Sequence, residues 1–73
     1  MMNVKQFHTL KAGTVVQWRE WADSPRAGEI TENGVVVIQD GRHFVRWPDG
    51  QETDGRDDWA LLCVEVRDER ARA

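Results

Sequence analysis

Four tryptophans carry the most distinctive chemistry in this sequence. They are Trp18, Trp21, Trp47 and Trp59, in a chain of 73 residues. An indole ring offers a large apolar surface to a partner protein, and its face attracts cations. Trp18 and Trp47 lie in β-rich runs and are predicted to be core residues. Trp21 stands among polar residues, so it is predicted either to anchor a partner or to fold back over the domain.

Acidic side chains gather around Gly55 and suggest a second kind of chemistry. They are Glu52, Asp54, Asp57 and Asp58. Their composition resembles that of a calcium-binding loop, but the regular acidic spacing and the distal glutamate of such a loop are missing, so no metal site is predicted. The cluster is either a solvated turn or a surface that attracts a basic partner.

The sequence contains no arrangement that is typical of catalysis. His8 and His43 are far apart, and neither lies at a zinc-ligand spacing from a cysteine. Cys63 is the only cysteine, and no adjacent histidine activates it as a nucleophile. The chain also lacks a Ser-His-Asp pattern and a glycine-rich phosphate loop. It is therefore predicted to be non-enzymatic and to need no cofactor.

Three arginines interleaved with aromatic residues leave a nucleic-acid interface open as an alternative. They are Arg19, Arg42 and Arg46. Basic and aromatic side chains together are typical of surfaces that bind single-stranded nucleic acids. The formal net charge of the chain is −3, however, and an acidic protein repels phosphates. A protein or peptide partner is therefore favoured over a nucleic acid.

Length and composition predict one small cytoplasmic domain. Seventy-three residues are close to the lower limit for an independent hydrophobic core. No run approaches the roughly 18 apolar residues of a membrane span, Met1–Lys11 lacks the apolar stretch of a signal peptide, and a single cysteine fits a reducing compartment. Met1–Trp47 carries six basic and five acidic residues, whereas Pro48–Ala73 carries four basic and eight acidic ones. The acidic half favours solubility or a basic partner.

Turn signals divide the chain into short strands. Asp40-Gly41 is a tight-turn pair between Val35–Gln39 and His43–Trp47, which predicts a hairpin. The other predicted strands are Thr14–Trp18, Gly28–Thr31, Gln51–Thr53 and Leu61–Val66. Asn33-Gly34 is predicted to be a type I′ turn. Asp57 or Asp58 is available to cap one helical turn before the last strand.

These elements predict an all-β fold, a small five-stranded antiparallel barrel over residues 13–66. Residues 1–12 are predicted to be an extended N-terminal arm from which Phe7 and Leu10 could dock on the barrel, and residues 67–73 a charged tail or short helix. Val35–Ile38 is apolar on both faces, so its outer face is predicted to be covered by the arm or by a second subunit through self-association. Strand alternation places Cys63 on the outside.

This order of elements is similar to that of the SH3-like small barrels, especially the Tudor, chromo-barrel and Mib-Herc2-type modules. The segments that carry the resemblance are Gly13-Thr14-Val15-Val16 and Val45-Arg46-Trp47-Pro48-Asp49-Gly50. Tudor-like modules bind methylated lysine or arginine in an aromatic cage. The resemblance therefore implies cage walls at Trp21, Phe44 and Trp47, with Asp49 as the acidic helper.

The predicted function is a non-catalytic interaction module that binds a protein surface or a peptide, with no membrane partner. The predicted partner-binding residues are Trp21, Phe44, Trp47, Asp49, Asp57 and Asp58. One rival is a small acidic inhibitor of a host enzyme, of the kind that phages and mobile elements use, acting through Asp54–Asp58. Another is a tetramer similar to the plasmid-type dihydrofolate reductases, although Val37–Gln39 only echoes their pore strand and the chain has no tyrosine.

Overall fold

The computed structural model of the protein describes residues 2–67, and within that range five antiparallel strands form one sheet. The strands are β1 (Val15–Arg19), β2 (Ile30–Gln39), β3 (Arg42–Arg46), β4 (Glu52–Asp54) and β5 (Val64–Val66). Two single-turn helices, α1 (Val4–Phe7) and α2 (Asp58–Leu61), precede β1 and β5. Neither helix is long or apolar enough to cross a membrane. The predicted small, mostly β fold is confirmed. Of the predicted tail, residues 67–73, only residue 67 is among the described residues.

The long strand β2 is the centre of the sheet, whose strand order is β4-β3-β2-β1-β5. The first half of β2 pairs with β1 and its second half with β3, and Val35 has a partner on each side, Val15 and Arg46. Strands β4 and β5 are the two edges, and no ladder joins them within residues 2–67. The hydrogen-bonded sheet is therefore open, and its pairing does not confirm the predicted closed barrel.

The predicted turn at Asn33-Gly34 is wrong, because both residues continue β2. Asn33 lies opposite Gln17 and Gly34 opposite Val16. Gly34 is buried, and a Cβ atom added to it would lie 2.7 Å from Cε3 of Trp47. The glycine therefore permits the close approach of an indole ring, and this packing overrides the turn propensity of the pair.

The predicted hairpin between β2 and β3 is confirmed. Its turn residues, Asp40 and Gly41, have φ angles of 52° and 77°. A two-residue turn in the left-handed region matches the right-handed twist of the strands that it joins. The resulting register places Val36 opposite Val45, and both side chains are buried.

One face of the sheet carries the core. The buried residues of this cluster are Met2, Phe7, Val16, Val36, Val45, Trp47, Leu61 and Val64. Alternation along β3 is as predicted, because Val45 is buried while Phe44 and Arg46 lie on the other face. Trp47 follows β3 and returns to the core face, so its predicted place in the core is confirmed.

The N-terminal segment forms a helix where an extended arm was expected. The Asn3 side chain accepts a 2.7 Å hydrogen bond from the Gln6 backbone N–H, and the Gln6 side chain accepts one from the Asn3 N–H. This reciprocal capping box stabilises the single turn of α1. Phe7 is fully buried and packs against Gly55. Because Phe7 belongs to the core cluster, α1 packs on the core side and does not cover the outer face of Val35–Ile38.

The predicted last strand, Leu61–Val66, is shorter than expected, because α2 takes Leu61 and the turn after it takes Leu62 and Cys63. Asp57 caps α2, as predicted, by accepting a 3.1 Å hydrogen bond from the Ala60 N–H. Leu61 is buried from the helix, and Cys63 is buried as well. The outward position predicted for Cys63 is wrong, since a helical turn and not strand alternation directs the residues before β5.

Candidate functional site

Trp18 and Trp47 form the aromatic wall of a cleft beside β1 and β3. Their ring centroids are 5.9 Å apart and their planes meet at 88°. The Trp18 indole N–H donates a 2.8 Å hydrogen bond to Oε2 of Glu20, and the Trp47 indole N–H donates one of 2.8 Å to the Thr53 hydroxyl. These bonds satisfy both polar edges and hold the two rings in an edge-to-face arrangement.

This cleft, which we call the acidic cleft, has a volume of about 210 Å³. Four carboxylates line it, those of Glu20, Glu32, Asp49 and Glu52. No lysine or arginine among the described residues lines it. Glu52 is paired at 3.0 Å with Arg46, which lies outside the lining. The acidic cleft is therefore a negatively charged recess with aromatic walls, the environment that stabilises a cation.

Local structure explains how these carboxylates come together. A β-bulge between Trp18 and Arg19 re-aims the end of β1, and Glu20 then reaches the Trp18 indole. Asp49 lies in the turn after β3 and accepts a 3.0 Å hydrogen bond from the Gln51 N–H. An aspartate that bonds the backbone two residues ahead stabilises such a turn. Both acidic groups are thus held by loops that flank the acidic cleft.

A second aromatic feature is formed by Trp21, in the loop after β1, and Trp59, in α2. Their ring centroids are 5.6 Å apart and their planes are inclined at 61°. Trp59 is 71% exposed and Trp21 is 36% exposed. Asp23 lines the same surface depression. Large exposed aromatic side chains of this kind are typical of protein-binding surfaces.

Two of the predicted partner-binding residues, Trp47 and Asp49, lie at the acidic cleft. Trp47 is only 7% exposed, so it is mainly a core residue with one part of its ring in the lining. The sequence analysis did not predict Trp18, Glu20 and Glu32 as partner-binding residues. The available signal was the two-residue spacing of Trp18 and Glu20, which favours the same side of a strand.

Three other predicted residues, Trp21, Asp57 and Asp58, belong to the segments that carry the exposed tryptophan pair. The sequence prediction omitted Trp59. In a helix, residues two apart point in opposite directions, so the burial of Leu61 turns Trp59 outward. This relation becomes visible only once the segment is known to be helical.

Phe44, the remaining predicted partner-binding residue, lies away from both aromatic sites. It is half-buried on the outer face of β3, where the Arg42 guanidinium lies 5.4 Å from the ring centroid. Its partner on the neighbouring strand β2 is Val37. Val35, on the same face of β2, is 42% exposed. The outer face of Val35–Ile38 is therefore partly open within the described chain.

The arginines of the nucleic-acid alternative are each paired with a carboxylate. The ion pairs are Arg19–Glu65 at 2.9 Å, Arg42–Asp54 at 3.2 Å and Arg46–Glu52 at 3.0 Å. Arg42 and Arg46 share the outer face of β3. This face therefore carries alternating charges of both signs, which does not favour contact with a row of phosphates.

The potentially reactive side chains are those of Cys63, His8 and His43. Cys63 is buried, and the two histidines contact each other. Burial raises the pKa of the Cys63 thiol, which keeps it protonated at neutral pH. His8 and His43 stack with ring centroids 5.1 Å apart, and Nε2 of His43 lies 3.0 Å from the Leu10 carbonyl oxygen. Within residues 2–67, no three His, Cys, Asp or Glu side chains are arranged to hold a metal ion.

Comparison with protein-family models, with curated proteins and with solved structures finds no match to this chain.

Proposed function

We propose that this protein is a non-catalytic interaction module that binds a basic side chain of a protein or peptide partner in the acidic cleft. The observation that carries the proposal is the combination of two perpendicular indole rings with four carboxylates and no lining cation. A positive side chain is the ligand chemistry that such a recess stabilises best, because ring faces and carboxylates attract it together.

The state of the individual carboxylates supports the same partner. Glu20 already accepts the Trp18 indole N–H, and Glu52 is held by Arg46. The Glu32 carboxylate has no hydrogen-bonding or ionic partner within residues 2–67, and the Asp49 carboxylate is bonded only to a backbone N–H there. Both are exposed. Glu32 and Asp49 are therefore the carboxylates free to pair with an incoming ammonium or guanidinium group.

We also propose that the sheet curls into an SH3-like barrel. Two observations support this fold. The first is the division of β2 between β1 and β3, and the second is that Val16, Val36, Val45 and Val64, from four strands, are fully buried in one cluster. The resemblance to Tudor-like modules then suggests that methylated lysine or arginine is among the ligands of the acidic cleft.

The first test replaces the two free carboxylates. Trp47 is a core residue, so its substitution would confuse binding with unfolding, whereas Glu32→Gln with Asp49→Asn leaves the rings in place. We expect short peptides with a central lysine or arginine, unmodified or methylated, to shift the indole N–H signals of Trp18 and Trp47 in NMR spectra. The double variant should bind them about five- to thirtyfold more weakly, because two charge pairs of about 0.5–1 kcal/mol each are lost.

The matched control is Glu29→Gln with Asp40→Asn, which removes two exposed carboxylates outside the acidic cleft. This control should bind like the wild type. Equal weakening in both double variants would mean that only the net charge matters, and an absence of any shift at Trp18 and Trp47 would refute the proposed ligand class.

A further inference from the structure

The exposed Trp21–Trp59 pair forms a second aromatic surface, separate from the acidic cleft. Its two rings are in edge-to-face contact, with their planes inclined at 61°. Trp59 remains 71% exposed in the folded chain. Within residues 2–67, no residue lines both this depression and the acidic cleft.

The surface is held in place before any ligand binds. Trp59 sits on α2, which is capped by Asp57 and anchored by the buried side chain of Leu61. The Trp21 carbonyl accepts a 3.1 Å hydrogen bond from the Ser24 N–H, which tightens the loop around it. Rigid aromatic residues of this kind lose little conformational entropy when a partner binds.

The charged residue that lines the depression is acidic. Asp23 lines the depression with the two rings, and Asp58 directly precedes Trp59 in α2. Neither carboxylate has a hydrogen-bonding or ionic partner within residues 2–67. Asp57 adds a third negative charge at the start of α2. No lysine or arginine of the described chain lines the depression, so a partner of positive charge is complementary to it.

From these contacts we infer that the Trp21–Trp59 surface binds an arginine-bearing segment of a partner protein. A guanidinium group is planar, so it can stack on an indole face while its N–H groups pair with a neighbouring carboxylate. An ammonium group is compact and strongly hydrated, and it cannot make both contacts in this planar way. The surface therefore selects arginine over lysine.

The test uses a defined probe, the peptide acetyl-Gly-Arg-Gly-Arg-Gly-amide, and follows the four indole N–H signals of the whole chain. We expect the signals of Trp21 and Trp59 to shift in a saturable way. The same peptide with lysine should bind at least about threefold more weakly, since the stacking contact is lost. With citrulline, which has nearly the same shape as arginine but no charge, the shift should disappear.

Protein variants locate the site. Trp59→Ala should abolish the response of Trp21, and Asp23→Asn with Asp58→Asn should weaken binding about five- to thirtyfold. Ile30→Ala, which removes an apolar side chain that is 40% exposed and lies outside the depression, is the control and should change nothing. A citrulline peptide that binds as well as the arginine peptide would overturn the inference, and so would unshifted Trp21 and Trp59 signals. Because Trp18 and Trp47 report on the acidic cleft, the two proposals fail or succeed independently.

Discussion

Gly34 lies where the fold has no room for a side chain. An added Cβ atom would lie 2.6 Å from Cγ1 of Val45 and 2.7 Å from Cε3 of Trp47. Both neighbours are buried, and neither can move without disturbing the core. The position therefore links the fold to the acidic cleft, because the Trp47 ring that fills the space over Gly34 also lines the cleft.

At this scale we predict that Gly34→Ala destabilises the protein by about 1–3 kcal/mol, the usual cost of overpacking a core. Urea unfolding followed by circular dichroism measures the change. Asn33→Ala, one residue earlier in the same strand and exposed, is the control and should stay within about 0.5 kcal/mol of the wild type. A Gly34→Ala variant as stable as this control would show that Trp47 does not pack against β2 as described.

Among the elements, the two edge strands are attached to the sheet by ion pairs. In β4, Asp54 is bonded by the Arg56 side chain and backbone and is also paired with Arg42 of β3. In β5, Glu65 accepts hydrogen bonds from Arg19 and Gln17 of β1. Because edge strands of three residues have few ladder bonds, these side-chain contacts stabilise their attachment.

These contacts lower the pKa values of both carboxyl groups. Hydrogen bonds from Arg56 lower the pKa of Asp54 to about 2, and hydrogen bonds from Arg19 and then Gln17 lower the pKa of Glu65 to about 2. A carboxyl whose pKa is lower in the folded state stabilises the fold above its unfolded pKa and ceases to do so as the pH falls. The corresponding window runs from about pH 4.5 down to about pH 2.

We therefore expect the melting temperature to fall as the pH is lowered through this window. Glu65→Gln should melt below the wild type at pH 7, and the difference should shrink towards pH 2, where the wild-type carboxyl is itself becoming neutral. Glu32→Gln, whose carboxylate has no cationic partner in residues 2–67, is the control and should follow the wild-type curve. A Glu65→Gln difference that stays constant from pH 7 to pH 2 would contradict the role given to this ion pair.

For the molecule as a whole, the proposed curling of the sheet concerns the distance between β3 and β5. In a flat sheet with this strand order, β3 and β5 are three strand spacings apart, about 14 Å. Yet Val45 of β3 and Val64 of β5 are both fully buried in one core cluster. In the barrel that we propose, curling would bring the two halves of the sheet face to face and would account for the burial of valines from four strands.

At this scale we predict nuclear Overhauser effects between the methyl groups of Val45 and Val64 in solution, because a barrel brings them within about 5 Å. Val16 and Val66, which are direct strand partners, provide the internal reference. If the reference pair gives a signal and Val45–Val64 does not, the sheet is open and the SH3-like barrel is excluded.

Structural features that depend only on neighbouring residues could be predicted from the sequence. The left-handed turn at Asp40-Gly41, the Asp57 cap and the alternation of Val45 with its neighbours each need only a few adjacent residues, and all three were predicted. Asn33-Gly34 has an equally strong local signal, but there the local preference loses to the packing of Trp47. The sequence allowed Phe7 to dock on the barrel, but its packing against Gly55 and His43, which are distant in the chain, is visible only in the tertiary structure.

By itself, then, the sequence determined where the main hairpin turns and narrowed the cap of α2 to Asp57 or Asp58, because short-range sterics and hydrogen bonds decide these features. The tertiary structure alone decided that Glu32 and Asp49 face the same recess and that Trp21 meets Trp59. Those pairs are separated by long stretches of chain, and their approach follows from how β1, β2 and α2 pack around one core. Burial of one face of each element then determines which aromatic rings remain available for a partner.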